Sequence, residues 1–170
     1  MLLSVNKETH YQVHDSTSVS VLQVLTKASY TNCEPVRNFF DRKFEEGQRS
    51  FIVDFAKCGS VDSTFLGILV RLALNLRNAE ESGKLVLVNL TGRNLETVKN
   101  LGIHRIAEIS SHSIENSEQL ETVGNNSENE TACAETIYQA HKTLMNLNEK
   151  NHRMFCDVVS FLELEAENSK

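Results

Sequence analysis

Apolar and polar residues alternate from Thr9 to Val13 and again from Ser18 to Leu25, on either side of the turn-prone His14-Asp15-Ser16-Thr17. A period of two gives each run one buried face, so the pair is predicted to form a leading β-hairpin. The period then changes. After Glu34-Pro35, whose proline suits a first helical turn, Val36, Phe39, Phe40 and Phe44 recur at helical spacing until Gly47. Phe51 to Phe55 is a short continuous apolar run, the pattern of an inner strand. A long helix should follow from about Asp62. On a 3.6-residue wheel Phe65, Leu69, Leu72, Ala73 and Leu76 make its buried stripe, while Thr64, Gly67, Ile68, Arg71, Asn75 and Asn78 gather on the opposite, outer side. A strand over Leu85 to Asn89, a helix over Arg93 to Leu101 and a short strand near Arg105 to Ile109 complete the alternation. It predicts an α/β fold with a mixed sheet of four to five strands and crossover helices.

Beyond residue 110 the character changes. Residues 110 to 131 are rich in Ser, Asn and Glu, with Leu120 and Val123 able to make at most one helical turn. Then Cys133, Ile137, Ala140, Leu144 and Leu147 fall on one face of a helix, and Met154, Phe155, Val158, Val159 and Leu162 on one face of another. Asn148 breaks the run and can cap the second helix. The chain is therefore divided into a domain over 1–110, a polar linker or loop over 111–130 and a two-helix C-terminal extension over 131–166. The apolar face of the last helix needs cover, from its own domain or from a second copy.

Charge separates along the same boundary. Residues 1–107 hold 13 Lys and Arg against 11 Asp and Glu, whereas residues 108–170 hold 4 against 12. With an acidic tail, no Trp and no basic run interleaved with aromatics, nucleic acid is not the expected partner. The most apolar helix is short and carries Arg71 and Asn75, so no membrane span is expected, and the chain is read as cytoplasmic. Cys33, Cys58, Cys133 and Cys156 lack Cys-x-x-Cys spacing and are expected as buried thiols. His141, His152 and Cys156 raise a metal question. His152 and Cys156 stand four apart on one helix, but no third ligand has matching spacing, so no metal and no cofactor are expected. No nucleophile elbow, phosphate-binding glycine loop, dinucleotide fingerprint or zinc-protease motif occurs, which argues against an enzyme.

The candidate chemistry lies in Val61-Asp62-Ser63-Thr64-Phe65-Leu66-Gly67. Two hydroxyls sit beside a carboxylate at a helix N-terminus, where unpaired N–H groups and a partial positive charge tolerate an added phosphate. Ser63 is the candidate phosphoacceptor and Thr64 the reserve. The rival reading makes these hydroxyls simple helix caps. Ile68, an apolar residue one turn away among polar ones, suits a partner's footprint.

That stretch resembles the signature of the STAS domain family, the sulphate-transporter and anti-sigma-factor-antagonist group. Ser82-Gly83-Lys84-Leu85-Val86-Leu87-Val88 resembles the family's next strand, and Val98-Lys99-Asn100-Leu101-Gly102-Ile103 its following helix and Leu-Gly-Ile corner. Two departures stand out: Phe65 where the family usually has Gly, and Thr26-Lys27-Ala28-Ser29-Tyr30 where it usually has a Gly-containing turn. The resemblance implies a non-enzymatic anti-sigma-factor antagonist, phosphorylated by a GHKL-type serine kinase that doubles as anti-sigma factor and restored by a PP2C-type phosphatase. Asp62, Thr64, Phe65, Gly67, Ile68 and Arg71 would then contact the partner. Two other readings stay open: an accessory subunit of a transport ATPase of the lipid-transport type, and a homodimeric scaffold or ligand sensor joined through the C-terminal helices.

Overall fold

The computed structural model describes residues 8–111, 121–123 and 130–168. The leading hairpin forms from β1 (Tyr11–Asp15) and β2 (Ser20–Val24), antiparallel, with Tyr11 opposite Val24. Its turn lies two residues later than the sequence pattern placed it, at Ser16 to Val19, where the Ser16 N–H donates to the Val19 carbonyl at 3.0 Å. A two-residue strand β3 (Lys27–Ala28) precedes helix α1 (Glu34–Glu45), which carries proline in its first turn and buries Val36, Phe39 and Phe40. β4 (Ser50–Asp54) follows and pairs parallel with β2.

The chain then makes β5 (Ser60–Val61), helix α2 (Ser63–Asn78), strand β6 (Lys84–Val88), helix α3 (Gly92–Asn100) and a 3-10 turn at Ile103–Arg105. Next come β7 (Glu108–Ser110), β8 (Glu121–Val123), α4 (Ala134–Met145) and α5 (Glu149–Asn168). The main sheet has the order β7-β6-β4-β2-β1-β8, parallel from β2 to β7 and antiparallel at β1 and β8. β3 and β5 pair parallel as a separate small ribbon in front of α2.

The sixth strand comes from the segment read as linker. Val123 pairs with Tyr11 as part of β8 rather than sitting in a helical turn, because the β1 edge offers unpaired backbone groups that a short extended segment satisfies. The rest of that segment, Leu120 included, lies outside the described residues.

Phe51 and Phe40 meet edge to face at 5.8 Å between ring centres, joining α1 to the sheet. α2 is the most enclosed helix: ten of its sixteen residues are buried, from Thr64 to Leu76. A helix apolar on most of its circumference needs cover on two sides. The sheet supplies one and α4 the other. α5 starts against the corner after α3, where Asn148 and Asn151 both donate side-chain N–H to the Leu101 carbonyl, at 3.1 and 2.9 Å. Gly102 holds that corner open with φ +79, a conformation side chains disfavour. As the sequence suggested, Asn148 caps α5, its oxygen accepting from the Asn151 N–H at 2.8 Å.

The second tail helix is only half covered. Phe155 and Val159 are buried, but Met154 and Val158, expected on the same face, are exposed, as are Phe161 and Leu164. The apolar arc of α5 is wider than the strip α4 can shield. The thiols divide too: Cys33 is buried, Cys58 and Cys156 are half-buried and Cys133 is exposed at the start of α4. Among the described residues no helix is long and apolar enough to cross a membrane.

Candidate functional site

Asp62 builds the site. Its backbone is extended (φ −111°, ψ 173°), and its carboxylate caps α2 by accepting the Phe65 N–H on Oδ1 at 2.9 Å. Its other oxygen accepts the Tyr30 N–H at 2.7 Å, so one side chain fixes both the start of α2 and the loop before α1. Replacement by alanine removes both bonds, for an expected loss of about 1–2 kcal/mol. Asparagine preserves an acceptor for the cap, so a thermal melt should show Asp62→Asn well above Asp62→Ala; equal losses would mean that capping is not its role.

Burial drives the groups behind Asp62 away from ionisation. Cys33 is pushed up to about 12, by burial first and then by the Asp62 and Glu34 carboxylates, which makes it an inert thiol. Burial, with Cys33 and Asp62 nearby, likewise raises the Tyr11 hydroxyl far above its usual range. Tyr11 donates instead to the Asn32 side-chain oxygen.

Ser63 opens α2 and is half-buried. Its Oγ lies 2.9 Å from Nε2 of His141, which reaches across from α4. The opposite ring nitrogen, Nδ1, is 2.7 Å from the Ile137 carbonyl. A carbonyl only accepts, so Nδ1 carries the proton; in the neutral ring Nε2 then accepts and Ser63 donates. Phe155 of α5 packs edge-on against the imidazole at 5.9 Å. Ser63 is thus half-buried, with its hydroxyl held by the C-terminal extension.

The first half of the expected outer face of α2 is not outer, whereas Arg71 and Asn78 are exposed and Asn75 is half-buried. Thr64 is 3% exposed and Ile68 6%, and Gly67 is buried as well. The wheel separated two sides correctly, but α4 lies on the second. Gly67 shows how closely: a β-carbon there would fall 2.4 Å from the Ala140 carbonyl oxygen and 2.6 Å from its Cβ. Arg71, one turn further, remains exposed beside a cavity of about 100 Å³ that it lines with Arg37, Cys133 and Gln139. Phe65 points the other way and is fully buried, stacked on Tyr11 at 6.2 Å and edge-on to Phe55 at 6.4 Å. Four of the six residues expected to meet a partner are therefore covered, three by α4 and one by the core.

Sequence reasoning missed His141 as a neighbour of Ser63. The sequence offers it as a metal candidate beside His152 and Cys156, yet it shares the α4 face of Ile137, Ala140 and Leu144, and a histidine on an apolar face needs a polar partner where it docks. Among the described residues, no three His, Cys, Asp or Glu side chains converge as metal ligands do.

Comparison with known proteins bears on the family and the fold. The family model described as STAS domain matches residues 9–118, almost two thirds of the chain, and ends before α4. A solved structure of an anti-sigma factor antagonist from Mycobacterium paratuberculosis is similar, with a TM-score of 0.53 at 15% identity over 65% of this chain and 92% of that one. The anti-sigma factor antagonist SpoIIAA in its unphosphorylated form gives 0.51 at 16% identity, over 61% and 89%. The Bacillus cell fate determinant SpoIIAA in its phosphorylated form gives 0.50 at 14%, over 60% and 92%. No curated protein matches the chain.

Proposed function

The chain belongs to the STAS domain family, and on that premise we propose that it is a non-enzymatic, cytoplasmic regulatory module of the anti-sigma-factor-antagonist type, switched by phosphorylation of Ser63. Its partner is a GHKL-type serine kinase that also serves as anti-sigma factor, and a PP2C-type phosphatase reverses the mark. The observation that carries this reading is the position of the Ser63 hydroxyl: half-buried in the first turn of α2, beside the Asp62 cap, with the His141 ring 2.9 Å away.

A phosphate there adds roughly −1.5 to −2 charges. The helix N-terminus favours that charge by about 0.3–1 kcal/mol, so the domain itself survives modification. The group also needs the room that His141 occupies. Phosphorylation and the docking of α4 are therefore coupled: the phosphate moves the imidazole, and with it the helix that covers Thr64, Gly67 and Ile68. The partner's contact surface comprises Asp62 and Arg71 at the rim and the α2 residues beneath α4, with Phe65 supporting them from below. Thr64, being buried, is reached only after Ser63.

Treatment with the GHKL-type kinases of the source genome and ATP should add one phosphate, located at Ser63 by mass spectrometry and absent from Ser63→Ala. The Ser63→Glu variant should release the bound kinase and raise amide exchange in α4. Unmodified protein after exposure to every such kinase would remove the phosphorylation switch.

A further inference from the structure

An open cleft of about 550 Å³ lies where the corner after α3 meets the start of α5. One wall carries Lys99, near the end of α3, and Arg105 in the following 3-10 turn; the other carries Lys150 and Arg153 of α5, and all four are exposed. The lining also has apolar surface, from half-buried Ile106 and Leu147. The walls are fixed against each other, because Asn148 and the fully buried Asn151 of the α5 start both donate to the Leu101 carbonyl of the corner. This concentration of positive charge runs against the rest of the chain. The net charge is −6, and residues 108–170 hold only 4 Lys and Arg against 12 Asp and Glu, yet two of those four stand here. Among the described residues the cleft sets four cations against one carboxylate, Glu149. Nor are the cations consumed internally. Among the described residues neither Lys99 nor Arg105 pairs with a carboxylate, and Lys150 Nζ reaches only the Asn100 carbonyl, at 3.3 Å. Arg153 meets Glu149 at 3.3 Å, but both side chains are highly exposed, so the pair stabilises little and exchanges readily.

We propose that this cleft docks an acidic peptide segment of a partner protein, one that carries an apolar side chain between its carboxylates. Both parts of the lining choose that class: the carboxylates meet cations on the two walls, and the apolar side chain covers Ile106 and Leu147. A small phosphate compound would leave the apolar part of the lining without a partner. A nucleic acid would bring a long phosphate backbone against a chain that is negative as a whole. Exposed charges of this kind speed encounter and fix orientation more than they tighten a complex, so the contact is weak and sensitive to salt. None of the residues lining the cleft belongs to the Ser63 site, so this surface stands independently of the phosphorylation reading.

The experiment is fluorescence anisotropy of the full chain with a fluorescein-labelled peptide of sequence Glu-Glu-Leu-Glu-Glu-Leu. At low salt the expected dissociation constant is on the order of micromolar to tens of micromolar, rising as salt is added. Arg105→Glu and Lys150→Glu, one from each wall, should each weaken binding about tenfold with an unchanged circular dichroism melt, since both side chains are exposed. The same peptide with serine in place of both leucines should bind about tenfold more weakly, a change that leaves the protein untouched. Pyrophosphate and a thymidine oligonucleotide of matching charge should compete poorly. Absence of peptide binding, equal affinity for the two charge-reversed variants, equal affinity for the serine peptide, or tighter binding of pyrophosphate or the oligonucleotide would each overturn the proposal.

Discussion

Phe65→Ala is expected to lose about 3–5 kcal/mol of stability, the range for removing a buried aromatic ring. Phe65 has no exposed surface and contacts two other rings, Tyr11 of β1 and Phe55 just past β4. It therefore ties the start of α2 to both halves of the sheet at once. The residues around the resulting void are themselves held: Tyr11 donates to Asn32, and Phe55 donates its N–H to the Val88 carbonyl at 3.0 Å. Little collapse is available, which places the loss toward the upper end. For a chain of this size each kcal/mol lowers the melting temperature by about 2–4 °C, so a calorimetric scan resolves the effect easily. A drop of a degree or two would show that Phe65 lies at an adaptable surface, where a partner-contact role would put it. The larger loss also explains the departure from the family's usual glycine: the ring is a core element beneath the start of α2.

Much of this was legible because periodicity reports burial. The hairpin, α1, β4, α2 and the α3 corner follow from alternation, helical spacing and turn residues, each of which acts locally. The start of α2 near Asp62 and the capping of α5 by Asn148 were readable for the same reason. What periodicity does not report is which object does the burying. Thr64, Gly67, Ile68 and Arg71 form a stripe whose small and polar members suit solvent or a closely packed helix equally well, and the answer lies some seventy residues away in Ala140. β8 escaped notice because its three residues carry too little pattern, and it exists only as an addition to the β1 edge. The Ser63 to His141 bond is legible only once α4 has been placed.

Gly67→Ala inverts the usual effect of its class, and that inversion tests whether α4 is docked as described. In the interior of an exposed helix this exchange gains about 0.5–1 kcal/mol, because alanine loses less backbone entropy on folding. Here the added carbon would stand 2.4 Å from a backbone oxygen of α4, and backbone cannot rotate aside as a side chain can. The helices must separate along their whole contact, disturbing the cover over Thr64 and Ile68 and stretching the bond between Ser63 and His141. Overpacking of this kind costs about 1–3 kcal/mol, so the net outcome is a loss of roughly 1–2 kcal/mol with the sign reversed. The loss should be uneven: amide exchange should rise across α4 and the first turns of α2, and much less in the sheet strands β2, β4 and β6. The opened variant should also accept phosphate on Ser63 faster than the parent. A melting temperature equal to or above that of the parent would mean that α4 does not pack on Gly67, and the coupling between the C-terminal extension and Ser63 would fall with it.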